Sequence, residues 1–118
     1  MVLRRIDPQL HFLFDVVTII AFAIAPEFLG LSPGPSRIAY SLAAAHAGLT
    51  MAVVVARGSA RTAIDAAHPL IELCAGLALL VVPPLVGSAP HPFFLLMGAA
   101  MFGVWLLSDY GVVLAGTP

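Results

Sequence analysis

Two histidine–carboxylate pairs are the residues of this chain best equipped for chemistry: His11 with Asp15, and His68 with Glu72. Four residues apart on a helix, an imidazole and a carboxylate share one face. Each pair offers nitrogen and oxygen donors, the set that takes a divalent metal ion or relays a proton. The second pair repeats the first at an offset of 57 residues (68 − 11 and 72 − 15). If the helices that carry them flank a common axis, His11, Asp15, His68 and Glu72 converge. A plainer reading stays open. All four lie near helix starts, where hydration or the helix dipole accommodates a carboxylate and where Arg57 or Arg61 is within reach as a partner.

His46 is the second candidate. It falls midway along an apolar helix among Ala43, Ala44, Ala45, Ala47 and Gly48, and a polar ring at that depth needs a hydrogen-bond partner or a ligand role. The small neighbours leave room for a flat macrocycle, and neutral imidazole is a common axial ligand of haem; a chlorin pigment would be held the same way. The alternative is a buried histidine bonded across the bundle to Thr18, Ser41, Thr50 or Ser108. The residue 57 positions on is Gly103 (103 − 46), so the second half of the chain does not echo His46.

The elements that position these groups follow from composition and from the repeat. The chain has 118 residues, 61% apolar and 9% charged, with a mean hydropathy of +1.06. A soluble domain averages about 45–50% apolar and about 25% charged, so this is a membrane composition. The 57-residue offset also pairs Pro26 with Pro83, Gly30 with Gly87, Pro33 with Pro90 and Pro35 with Pro92. It predicts an all-α, polytopic membrane protein of four transmembrane helices built from two tandem, parallel helical hairpins, repeat 1 over about 8–57 and repeat 2 over about 65–114.

Asp7-Pro8 starts helix 1, which runs to about Glu27, and Gly30 to Pro35 forms the first turn. Helix 2 runs from about Ser36 to Ala56, Arg57 to Thr62 is a polar link, and Asp65 or His68 caps helix 3, which runs from about Pro69 to Leu85. Gly87 to Pro92 repeats the turn, and helix 4 runs from about Phe93 to Val113, with Trp105 and Tyr110 at headgroup depth. Small residues Ala44, Gly48 and Ala52 on helix 2, with Ala99 and Gly103 on helix 4, predict close helix packing.

An apolar segment ending in Pro, bulky residues and Gly, then a short turn and a second apolar helix, resembles the SPW-repeat family of small prokaryotic membrane proteins. The residues that carry the resemblance are Ala25-Pro26-Glu27-Phe28-Leu29-Gly30 and Val82-Pro83-Pro84-Leu85-Val86-Gly87. The family's Ser is Ala25 or Val82 here, and its Trp is Glu27 or Pro84. The resemblance implies architecture and a bacterial inner membrane, with no activity attached.

Arg4, Arg5, Arg57 and Arg61 flank one side of the helices and Arg37 the other, which places both termini in the cytoplasm. A signal-peptide reading of the N-terminus is opposed by Asp15 within the apolar run and Pro26 just after the Ala23-Ile24-Ala25 site. No polybasic patch invites nucleic acid, and the lone Cys74 reads as a small core residue. Glu27 and Arg37 flank the first turn, either as an exposed ion pair or each snorkelling toward the interface, and Asp109 faces Arg57 or Arg61. Without a nucleophile–base pair, a phosphate loop or an HExxH motif, the sequence points away from an enzyme. It points to an accessory or structural subunit, bound to lipid and to other membrane subunits or copies of itself. A haem- or pigment-binding subunit and a small ion, proton or solute transporter are the alternatives.

Overall fold

The computed structural model describes residues 6–85 and 91–108, which form four α-helices: α1 (Pro8–Phe28), α2 (Pro33–Val55), α3 (Gly58–Leu85) and α4 (Pro92–Leu107). The first three are long and apolar enough to cross a membrane; α4, with 16 residues, is apolar but shorter. Large apolar side chains such as Leu13, Val17, Ile20, Ile24, Leu96 and Leu106 are exposed on the outside, where a bilayer would cover them. Arg4, Arg5, the turn residues Gly87 to Pro90, Asp109, Tyr110 and the expected helix 4 end at Val113 lie outside the described residues.

Local chemistry sets the helix ends. The Asp7 carboxylate accepts the Leu10 N–H at 2.8 Å, with Pro8 in the first turn where its missing N–H costs nothing. α1 continues through the buried Pro26 to Phe28. Gly30 at φ +60° then lets the Leu31 N–H reach back to the Pro26 carbonyl at 3.0 Å, a Schellman stop that requires the left-handed conformation. α2 starts at Pro33, three residues before the expected Ser36. Pro33 and Pro35 fall in the first turn, whose N–H groups have no intrahelical partner. The His91 ring starts α4 by accepting the Phe93 N–H at 3.1 Å.

The largest departure from expectation is α3, which begins at Gly58. Arg57 to Thr62 is therefore no link, and Asp65 and His68 lie inside the helix and do not cap it. Gly58, at φ +59°, turns the chain sharply out of α2, and Arg61 then pairs with Asp65 one turn on, at 3.0 Å. That pair is the exposed one; Glu27 and Arg37 are exposed and not joined to each other. At the other end α4 stops early, because Ser108 is extended and forms a parallel bridge with Ile6, whose N–H donates to the Leu107 carbonyl at 3.0 Å.

α1 packs along α2 and α3 along α4, while the hairpins meet more sparingly, α2 with α3 and α1 with α4. α1 and α3 are thus diagonal, and their backbones stay apart. Near the α1–α2 turn the core is apolar: Phe22, Ala39, Ala43, Phe94 and Met101, with Phe93 edge-on to Phe22 at 5.6 Å. The close approach of α3 and α4 runs through Gly76 and Gly98, where a methyl on Gly98 would stand 2.9 Å from Leu79 Cβ. Of the expected packing residues, Ala44, Gly48 and Ala99 are exposed and Ala52 and Gly103 half-buried, and nothing lies within 4 Å of a methyl added at Gly48 or Gly103. Cys74 is exposed, not a core residue, because the inward face of α3 is the one that carries His68, Glu72 and Gly76.

Candidate metal centre

Across the diagonal gap between α1 and α3, His11, Asp15, His68 and Glu72 meet. All four are buried, and one donor atom from each lies within 4.8 Å of every other. His11 Nε2 stands 3.1 Å from Glu72 Oε1 and 3.4 Å from Asp15 Oδ1. His68 Nε2 stands 3.0 Å from the same Glu72 oxygen and 3.8 Å from Asp15 Oδ2. The two rings meet edge to face, with centroids 5.3 Å apart. Each ring nitrogen therefore sits between the carboxylates of both hairpins, as the 57-residue offset suggested.

The outer contacts are asymmetric. His46, on α2, reaches Asp15 Oδ1 through Nε2 at 3.1 Å, so its partner is Asp15 and none of the hydroxyls named from sequence. Ser108, wholly buried after α4, places its Oγ 2.6 Å from His11 Nδ1. Sequence reasoning missed both contacts. The first was open to it: Asp15 and His46 each stand 15 residues from the turn at Gly30-Leu31 (30 − 15 and 46 − 31), the condition for equal depth in an antiparallel hairpin. By the same count Thr50 faces His11 (50 − 31 and 30 − 11). Thr50 is buried, and its hydroxyl has no hydrogen-bond partner among the described residues, a state that costs about 1–3 kcal/mol unless water fills it.

Two cavities flank the cluster. One, of about 250 Å³, is walled by Phe14, Val17, Met97, Met101 and Val104 and touches Asp15, His46 and Glu72. The other, of about 420 Å³, lies toward the α2–α3 junction and includes His11, Asp15, Thr50 and His68.

The geometry suits a small divalent cation. Ligand bonds of about 2.0–2.2 Å in a tetrahedron set neighbouring donors about 3.3–3.6 Å apart; the four histidine–carboxylate separations run from 3.0 to 3.8 Å, those to Asp15 reaching different oxygens, and the full set of four donors lies within 4.8 Å, so a bound ion would draw it in. Two imidazoles and two carboxylates bring a formal charge of −2, which a dication cancels. Ser108 can accept the Nδ1–H of His11, which would present the Nε2 lone pair to an ion, and His46 can orient Asp15; outer partners of this kind accompany most metal-bound histidines and carboxylates. Comparison of the chain with protein-family models, with curated proteins and with solved structures gives no match.

Proposed function

We propose that this membrane protein binds one divalent transition-metal ion through His11, Asp15, His68 and Glu72. The observation that carries the reading is the convergence of four buried donors across the diagonal of the bundle. Two carboxylates buried among apolar helices are costly without compensating charge, and a dication supplies that charge through direct bonds. His46 fits an outer role better than that of a haem ligand, since its Nε2 is engaged by Asp15 and the cavities beside it, about 250 and 60 Å³, fall below the roughly 300–1,000 Å³ of cofactor pockets.

The test is cobalt(II) titration of the detergent-purified protein, read by the visible bands that a tetrahedral nitrogen–oxygen site gives. One equivalent per chain is expected, and Glu72→Ala should weaken binding by more than about 100-fold, beyond what outer partners carry. A titration that matches buffer alone would remove the reading.

A second reading, an accessory subunit or homo-oligomer, is favoured by one observation. Ala44 and Gly48 lie exposed with Ala52 beneath them, a small-residue stripe of the kind that joins helices in lipid. Gly48→Leu should then lower the particle mass measured by light scattering while leaving the folded monomer intact. On either reading the distribution of arginines in the sequence favours a cytoplasmic side for both termini.

A further inference from the structure

We infer that the cavity at the α2–α3 junction is the path by which a hydrated divalent cation reaches the buried centre, with Thr50 as the oxygen that meets it inside; this rests on the metal reading above. The two sides of the centre differ in kind. Toward the first turn the centre abuts the apolar-walled cavity and then the Phe22–Phe94 core. Toward the junction the cavity carries His11, Asp15 and His68 at its floor, Thr50 on its wall, and Arg61 and Asp65 at its rim. Its volume of about 420 Å³ exceeds the roughly 180 Å³ that six waters occupy at about 30 Å³ each.

Thr50 is the independent observation. It is only 7% exposed, lines this cavity, and its hydroxyl is unpartnered. A threonine inside a helix commonly returns its hydroxyl to the carbonyl four residues back, which here is that of His46, and Thr50 does not. A hydroxyl so held accepts from, or donates to, the water shell of an entering ion. At the rim the Arg61 guanidinium is tied to both Asp65 oxygens at 3.0 Å and to the Val53 carbonyl at 2.8 Å. Arginine and aspartate cancel there, so the entrance does not repel a cation. Asp65 is the first carboxylate an ion meets, and Asp15 the next.

The experiment is stopped-flow mixing of the full-length protein with cobalt(II) alone, in Thr50→Val and Asp65→Asn beside the parent chain. Thr50→Val keeps the shape and removes the hydroxyl. Association and release should slow together by about tenfold in each variant, the loss of one or two favourable contacts at the barrier, while the equilibrium constant stays within about threefold. Thr50→Ser should restore the parent rate. A parallel measurement uses Thr50→Cys in a Cys74→Ser background: a charged, membrane-impermeant thiosulfonate should label it, and cobalt should protect it. Cobalt binding with unchanged rates and an unlabelled cysteine would overturn the path and leave the centre standing. Loss of equilibrium binding in Thr50→Val would overturn it too, by making Thr50 part of the centre itself. No cobalt spectrum in the parent chain would remove the centre and the path together.

Discussion

In the half of the bundle next to the first turn, Phe22, Ala39, Ala43 and Phe94 close against one another and no ionisable group is buried among them. In the half next to the α2–α3 junction, the buried side chains are His11, Asp15, His46, Thr50, His68, Glu72 and Ser108, with Ile6 beside them. Lipid tails are as apolar as the first half, so burial from water drives little there, and packing must come from dispersion and shape. The second half holds by directional bonds that fix which residue faces which. The two halves thus divide the work: one sets how firmly the helices associate, the other sets the register of the hairpins and offers the donors.

Substitutions can break that division or sharpen it. Phe22→Ala should act most strongly, opening a cavity in the apolar half at a cost of about 2–3 kcal/mol, the cavity and dispersion part of such a deletion, measured by unfolding in mixed micelles; cobalt affinity should stay unchanged, and a matching loss of affinity would mean that the halves are not separable. Ser108→Ala should do the reverse, weakening cobalt binding by about 10–100-fold with a far smaller effect on unfolding. Gly98→Ala should cost about 1–3 kcal/mol through overpacking against Leu79 and the Gly76 carbonyl. Gly103→Ala should stay within about 0.5 kcal/mol, because none of the described residues lies within 4 Å of the added methyl; a larger loss would reveal a further packing partner.

How legible these halves were in the sequence depends on the kind of signal. The apolar runs and the 57-residue offset pointed to four helices, and His11, Asp15, His68 and Glu72 were recognised as one candidate site because paired residues recur at a helical spacing. The start of α3 was hidden because Arg57, Ser59, Arg61 and Thr62 read as a polar link, whereas Gly58 turns the chain and the Arg61–Asp65 pair lies within the first turns of the helix that follows. The small residues were visible, but spacing alone does not say which face is inward, so Gly76 went unnoticed and Gly48 was assigned a contact that the chain does not make. Ser108 was named as a hydroxyl for His46 but meets His11, since the Ile6 bridge that places it joins single residues from distant parts of the chain.

The positions of these partners along the chain also set an order of events during synthesis. Asp15 and His11 leave the ribosome long before Glu72, and Ser108 emerges later still. At about 5–20 residues per second, the 57 residues between Asp15 and Glu72 (72 − 15) amount to a delay of about 3–11 s. During that interval the buried partners of Asp15 among the described residues are His11 on its own helix and, once α2 has followed, His46. The first hairpin can therefore engage Asp15 through His46 before α3 supplies the other two donors, and the Ser108 contact to His11 forms only after α4.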